Sequence, residues 1–353
     1  MVFNMYRIIE RRQVSPGFFP VIAMVAVLTL GSITASASDS SPTQAPRQTA
    51  GTGSANEAQV IPAAFTPVSA PETIPTPADT GTMEIETINA ISKTPVVVVP
   101  RDLSGLAGPV QQLIAQSGAS VGVTVVELGG ADPTAWSVNG GGVFTAGSTY
   151  KLAALMLEAQ NIAAGKTDPN GLVCYEESDW EDGWFADYAA GECYTRNELA
   201  RRAGKYSDNT AGHMLVRDIG GVGVLDAWAA SLGATSSAFF VGNTTTSADL
   251  AALWLAEAQG KLGGAAAQAW LYPFLMSTRS ESGVPAGVAG ATVVHKTGTV
   301  DQVDNDAAMV TGGPSGAYIL VVMTDGLGGQ EGWQLIAGIS ASVSQFEAAR
   351  AGS

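Results

Sequence analysis

Three short motifs follow one another between residues 148 and 298 of this 353-residue chain. The sequences STYK, SDN and KTG begin at Ser148, Ser207 and Lys296, and they have the patterns S-x-x-K, S-D-N and K-T-G. Each motif alone occurs by chance in many proteins. All three, in this order within one domain-sized stretch, are typical of a fold that brings a serine and two lysines into one site.

Ser148 lies directly before a largely apolar run from Tyr150 to Leu157, which predicts that it caps or opens a helix. A cap is the commoner role of such a serine, but Lys151 follows three residues later on the same helical face. A lysine buried in an apolar helix loses preference for its charged form and can accept a proton from a hydroxyl. The pair therefore predicts a serine nucleophile with a lysine base.

The second motif falls between two predicted helical segments, residues 197–203 and 210–218. Serine, aspartate and asparagine also suit an ordinary capped turn, so the motif alone has a purely structural interpretation. In a catalytic loop, Ser207 would relay a proton toward the leaving group and Asn209 would bind a substrate amide. Asp208 would then hold the loop in place.

The third motif lies in a predicted strand. Gly298 would let a substrate backbone approach and pair with the strand edge. Lys296 and Thr297 would attract a substrate carboxylate. Taken alone, this motif is more typical of an ordinary strand end.

The motifs and their surroundings resemble the class A serine β-lactamase family over nearly all of residues 103–353. The likeness includes the stretch 121–152 and the segments 206–211, 243–246 and 295–299. It implies an acyl-enzyme mechanism on β-lactams or related amides. The implied roles are a nucleophile at Ser148, a proton acceptor at Lys151, a relay at Ser207, substrate contacts at Asn209, Lys296 and Thr297, and an oxyanion hole made by the backbone N–H groups of Ser148 and Thr299.

One motif of that family has no counterpart in this chain. Class A β-lactamases carry an E-x-x-L-N loop between S-D-N and the T-T-T segment, and its glutamate activates the water that releases the acyl group. The corresponding stretch, residues 232–243, contains neither glutamate nor aspartate. Losing a positioned general base typically slows the step it serves by about 10²–10⁴-fold, so we expect slow deacylation.

The acidic segment 176–182 has two interpretations. It could supply a replacement carboxylate near the mouth of the cleft, or it could be a solvated loop held by a disulfide, which is the commoner role of a run of charges. The four candidate carboxylates are Glu176, Glu177, Asp179 and Glu181.

The same motifs are compatible with other functions. A D,D-peptidase or esterase acting on cell-wall peptides or esters would use the same residues, and the missing glutamate favours it. A silent cell-wall binding module would need neither Ser148 nor Lys151. A Ser-His-Asp hydrolase is disfavoured, because the two histidines are His295, which adjoins Lys296 on a strand, and His213, whose helical neighbours indicate core packing.

The pattern of predicted elements is α+β. Strand patterns occupy residues 120–127 and 135–137 near the start of the domain and three segments near its end, with mostly helical sequence over 148–275 between the two groups. We therefore expect an antiparallel sheet made by both ends of the domain, packed with an inserted all-α lobe. The remaining predicted elements are strands at 292–296, 307–311 and 318–324 and a closing helix at 330–350.

The N-terminal third is predicted to lie outside the folded domain. Residues 1–37 combine early arginines, an apolar run and a final Ala-Ser-Ala, which are the marks of a secretory signal peptide or, if uncleaved, a membrane anchor. Residues 38–102 are rich in Ser, Thr, Ala and Pro and predict a disordered linker. The serine hydrolase domain then spans 103–353, and the protein is expected in the cell envelope or outside the cell.

Charge and cysteine content narrow the possible partners. A formal net charge of −15 with 17 Lys plus Arg argues against binding to nucleic acid or anionic membranes. We expect a β-lactam or cell-wall peptide as partner, and membrane contact through an N-terminal anchor alone. In an oxidising compartment Cys174 and Cys193 would form a disulfide. Two cysteines and two distant histidines do not give metal-ligand spacing, so neither a metal nor a cofactor is expected.

Overall fold

The computed structural model of the protein describes residues 59–61, 102–129, 134–313 and 315–350. The predicted signal segment and most of the predicted linker lie outside these residues. Three linker residues, Gln59–Ile61, form a short strand against the edge of the sheet. Among the helices in these ranges, none has the length and apolar character to cross a membrane.

Antiparallel pairing organises the strands. Six of those in the described residues form one sheet in the spatial order first, third, second, tenth, ninth and eighth, and two further pairs, fourth with seventh and fifth with sixth, form small ribbons. In chain order the strands are β1 (Gln59–Ile61), β2 (Ser120–Glu127), β3 (Ala135–Val138), β4 (Phe144–Thr145), β5 (Leu172–Cys174), β6 (Cys193–Thr195), β7 (Thr244–Thr245), β8 (Thr292–Val300), β9 (Val303–Gly313) and β10 (Gly316–Asp325).

The helices fall into two groups. One group follows the nucleophile motif in sequence and forms the inserted lobe, and the other lies on the opposite face of the sheet. In chain order the helices are α1 (Ser104–Ser117), α2 (Tyr150–Ala163), α3 (Arg196–Lys205), α4 (Asn209–Asp218), α5 (Val222–Ser231), α6 (Ser247–Ala258), α7 (Ala265–Leu275), α8 (Val284–Gly287) and α9 (Gly329–Arg350).

Strand β10 lies inside the sheet, between β2 and β9, and is buried on both faces. Because alternate side chains of a strand point to opposite sides, Ile319 and Val321 pack against the helical lobe while Leu320 and Val322 pack against α1 and α9. This burial on both faces explains why the strand reads as a continuous apolar run. The sheet therefore separates two apolar cores and forms one wall of the cleft.

The predicted α+β architecture is confirmed, with strands from both ends of the domain and helices between them. The strand that carries the K-T-G motif is longer than its pattern indicated, since β8 continues through the motif to Val300. The interval 148–275 also contains short strands, β5 to β7, that the sequence did not predict. Strands of two or three residues are too short to show an alternating pattern.

The predicted disulfide between Cys174 and Cys193 is confirmed. The two cysteines are paired residues of β5 and β6, so the bond closes the loop that carries the acidic segment. Asp208 holds the same loop from inside: its carboxylate accepts hydrogen bonds from the backbone N–H groups of Trp184 and Phe185 and from the Tyr188 hydroxyl. The loop that carries the acidic segment is therefore closed by the disulfide at its ends and held by Asp208 at residues 184–188.

Replacing both cysteines by serine should destabilise the protein by about 3 kcal/mol, because the bond restricts the unfolded chain over a sequence separation of 19 residues. Urea unfolding monitored by tryptophan fluorescence would give the free energy of unfolding. An unchanged midpoint and slope would show that Asp208 alone suffices to hold the loop.

Candidate active site

Ser148 lies in a single 3-10 turn, Gly147–Thr149, that leads directly into α2. Two asparagines fix this turn from outside. The Asn305 side-chain amide donates to the carbonyl oxygens of Thr145 and Ala146, at 2.8 and 3.2 Å, and Asn243 donates to that of Gly147 at 3.3 Å. Ser148 thus opens the helix as predicted, but its hydroxyl contacts Lys151 instead of capping the backbone.

Lys151 is completely buried on the first turn of α2, and its amine meets three oxygen atoms. Nζ lies 2.7 Å from the backbone carbonyl oxygen of Ser207, 2.7 Å from Oδ1 of Asn209 and 2.9 Å from Oγ of Ser148. Carbonyl oxygens can only accept, whereas a hydroxyl can also donate. A neutral amine would use its two N–H groups on the carbonyls and direct its lone pair at the Ser148 hydroxyl.

Electrostatics favour that neutral form. Burial lowers the pKa of Lys151 well below its usual value, and the positive charge of Lys296 lowers it further. Asp208 and Glu181 act in the opposite direction and do not cancel the effect of burial. Burial therefore favours the neutral amine, which is the form that can accept a proton.

The S-D-N motif connects α3 to α4 through a strained backbone. Ser207 has φ of 59°, in the left-handed region that few residues other than glycine adopt, and this turn aims its carbonyl at Lys151. Asp208 caps α4 by accepting from the backbone N–H of Ala211. Asn209 is the first residue of that helix.

The K-T-G motif lies on β8 and faces the same site. Lys296 is almost fully buried and donates from Nζ to Oγ of Ser207 at 2.9 Å. Burial lowers its pKa to about 7, although the charge of Asp306 opposes this. A β-carbon placed on Gly298 would lie 2.4 Å from the Ala146 carbonyl oxygen and 3.0 Å from the Ser148 nitrogen. Glycine therefore allows β8 to contact the turn that holds the nucleophile.

A cavity of about 300 Å³ opens above these groups. Three residues of the predicted site line it: Ser148, Asn209 and Thr299. The other residues that line it are Gly147, Tyr150, Glu181, His213, Phe240, Asn243 and Val300.

The structure thus brings Ser148, Lys151, Ser207, Asn209 and Lys296 into one hydrogen-bonded group. Thr297 and Gly298 continue the strand beside it, and Thr299 lies at the cavity. Within the described ranges, no three His, Cys, Asp or Glu side chains cluster as a metal site would require.

His213 does not have the simple core-packing role that its neighbours predicted. Its ring packs edge-on against Phe240, with 4.6 Å between ring centres, but it also lines the cavity, and its Nε2 lies 2.7 Å from Oε2 of Glu181. The missed signal is its spacing: it lies four residues after Asn209, which puts both side chains on one face of α4.

A serine beside a buried lysine, a second buried lysine on the edge strand of the sheet and an adjoining cavity are the features of a serine hydrolase site. The model of the β-lactamase enzyme family matches residues 106–346. The chain therefore belongs to the β-lactamase enzyme family. No curated protein matches the chain significantly.

Solved structures show the same fold. One of PBP-A is 25% identical, with a TM-score of 0.63, and the match covers 68% of this chain and 96% of that one. An acyl-enzyme complex of a PBP-A point mutant with penicillin G is 27% identical (TM-score 0.63), covering 70% and 97%. A β-lactamase from Sphaerobacter thermophilus DSM 20745 is 25% identical (TM-score 0.62), covering 70% and 98%.

Replacing Gly298 by alanine should destabilise the protein by about 1–3 kcal/mol, because the added methyl group collides with backbone atoms that cannot turn aside. Alanine is otherwise favoured over glycine within a strand. Gly141→Ala is the matched control, since the new methyl group meets nothing within 4 Å. Thermal unfolding of both variants checks the prediction, and equal melting temperatures would contradict it.

Proposed function

We propose that this protein is an exported serine hydrolase that forms an acyl-enzyme on Ser148 with β-lactams or related amides and releases it slowly. The observation that carries the proposal is the position of the Lys151 amine. It lies 2.9 Å from the Ser148 oxygen and is held there by two groups that can only accept hydrogen bonds. This is the geometry that a base needs to take the hydroxyl proton.

In acylation, Oγ of Ser148 bonds to the substrate carbonyl carbon while Nζ of Lys151 takes the hydroxyl proton. The backbone N–H groups of Ser148 and Thr299 stabilise the oxyanion. The amide C–N bond then breaks, and the leaving nitrogen receives a proton through the hydroxyl of Ser207. Lys296 supports this relay, because its amine already donates to the Ser207 oxygen.

The segment that stands where the family carries its glutamate supports slow release of the acyl group. The segment 232–243 contributes Phe240 and Asn243 to the cavity, and neither side chain is a base. Phe240 has a φ of 67° and Asn243 a φ of 43°. Positive φ values at these residues show that the segment is held in a specific strained conformation beside the nucleophile.

A D,D-peptidase or esterase is the second candidate. The similarity to PBP-A, of which one solved complex is an acyl-enzyme with penicillin G, favours it. Both functions share the acylation step on Ser148, and they differ in the natural acyl donor.

Export rests on the sequence of residues 1–37 and on the Cys174–Cys193 bond. Disulfides persist in oxidising compartments and are rare in the cytosol. We therefore place the protein in the cell envelope or outside the cell.

Incubation with excess benzylpenicillin, followed by intact-mass spectrometry, should show one covalent adduct that persists over many minutes. Ser148→Ala should form none, because it lacks the nucleophile. The time course distinguishes the alternatives. Rapid drug loss without an adduct would mean efficient turnover. Neither an adduct nor drug loss would overturn the β-lactam proposal, and release of D-alanine from a peptide ending in D-Ala-D-Ala would then be measured.

A further inference from the structure

Glu181 reaches the cavity from the disulfide-closed loop, a different part of the chain from the segment 232–243. Its backbone is fixed to the first turn of α4 by two reciprocal hydrogen bonds. The Glu181 N–H donates to Oγ1 of Thr210 at 3.1 Å, and that hydroxyl donates to the Glu181 carbonyl oxygen at 2.8 Å. The position of the carboxylate is therefore set by the same helix that presents Asn209.

Two donors on one face of α4 orient the carboxylate of Glu181. Oε1 accepts from the Asn209 side-chain amide at 3.0 Å, and Oε2 lies 2.7 Å from Nε2 of His213. Burial lowers the pKa of His213, although the negative charge of Glu181 opposes this, and a neutral ring with its proton on Nε2 is the form that donates to the carboxylate. A carboxylate oxygen can accept more than one hydrogen bond, so the Glu181 carboxylate can also accept one from a water molecule in the cavity.

Asn209 connects Glu181 to the nucleophile. Its amide nitrogen donates to the glutamate, while its amide oxygen accepts from Lys151, which in turn contacts Ser148. Glu181 and Ser148 also line the same cavity, whose volume of about 300 Å³ has room for an acyl group with several waters.

We propose that Glu181 is the general base for release of the acyl group from Ser148, with His213 as its positioning residue. The inference rests on the acyl-enzyme function proposed above. A water oxygen bonds to the acyl carbonyl carbon while Glu181 takes one of its protons. The ester bond to Oγ of Ser148 then breaks, and Oγ recovers that proton. The water's OH leaves with the product acid and its other hydrogen restores the serine.

The exposure of Glu181 explains why release is slow despite this base. Its side chain is 52% exposed, so bulk water competes for its carboxylate and weakens the electrostatic effect of the site. The loss on removing it should therefore be smaller than the 10²–10⁴-fold typical of a general base, about 10- to 100-fold.

Glu181→Gln tests the inference, because it keeps the size of the side chain and one accepting oxygen and removes the basic carboxylate. The protein is acylated with benzylpenicillin, freed of excess drug and monitored by intact mass. We expect the adduct to form at the wild-type rate and to disappear at least about tenfold more slowly. Glu177→Gln is the matched control, an exposed glutamate of the same acidic segment, and should behave as wild type.

The role of His213 is tested by two substitutions. His213→Gln retains an N–H donor at a similar reach and should preserve most of the release rate. His213→Leu removes the donor and should slow release about as much as Glu181→Gln. A merely structural role would instead lower both variants' melting temperatures and leave their release rates equal.

The outcomes separate this inference from the function on which it rests. Absence of any adduct on the wild-type protein would overturn both. An adduct that leaves Glu181→Gln at the wild-type rate would overturn the role of Glu181 and leave acylation on Ser148 intact. If Glu181→Gln slowed formation of the adduct as much as its loss, Glu181 would act by holding Asn209, which also contradicts the proposed role.

Discussion

The burial of Lys151 is the constraint on which the rest of the site depends. A lysine without contact to water is costly unless its amine is fully hydrogen-bonded, and here the partners come from two of the three motifs. Ser148 precedes it on the chain, Ser207 supplies a carbonyl from a strained turn, and Asn209 supplies an amide oxygen from α4. Gly212 makes this burial possible, because a β-carbon there would lie 2.7 Å from Cε of Lys151.

A second buried lysine extends the same principle to the other wall of the cleft. Lys296 reaches from β8 to the hydroxyl of Ser207, and this hydrogen bond joins the sheet to the S-D-N turn of the helical lobe. The positive charge of Lys296 lowers the pKa of Lys151 beyond the effect of burial. The packing of the fold thus favours the neutral amine of Lys151, which is the form that can accept a proton.

Much of the fold and half of the site follow from local patterns. The partial alternation of β2, the apolar run of β10, the helix after Ser148 and the strand that carries Lys296 are all visible in sequence, because each depends on neighbours within a few residues. Asn305 carries no such signal. Its contact with the turn before Ser148 joins β9 to residues about 160 positions earlier, and only the register of the sheet creates it.

The sequence by itself determined which chemical groups are present: a serine three residues before a lysine, a polar turn, a lysine–glycine strand, and no acidic residue in the segment 232–243. It could not decide among the acidic residues of the loop 176–182, since all are charged and close in sequence. Tertiary structure decided that Glu181 faces the cavity, because α4 presents Asn209 and His213 one turn apart and a disulfide closes the loop over them. The periodicity of a sequence shows which residues share a face of one helix or strand. The contact of Glu181 with Asn209 and His213 depends instead on how separate elements pack together.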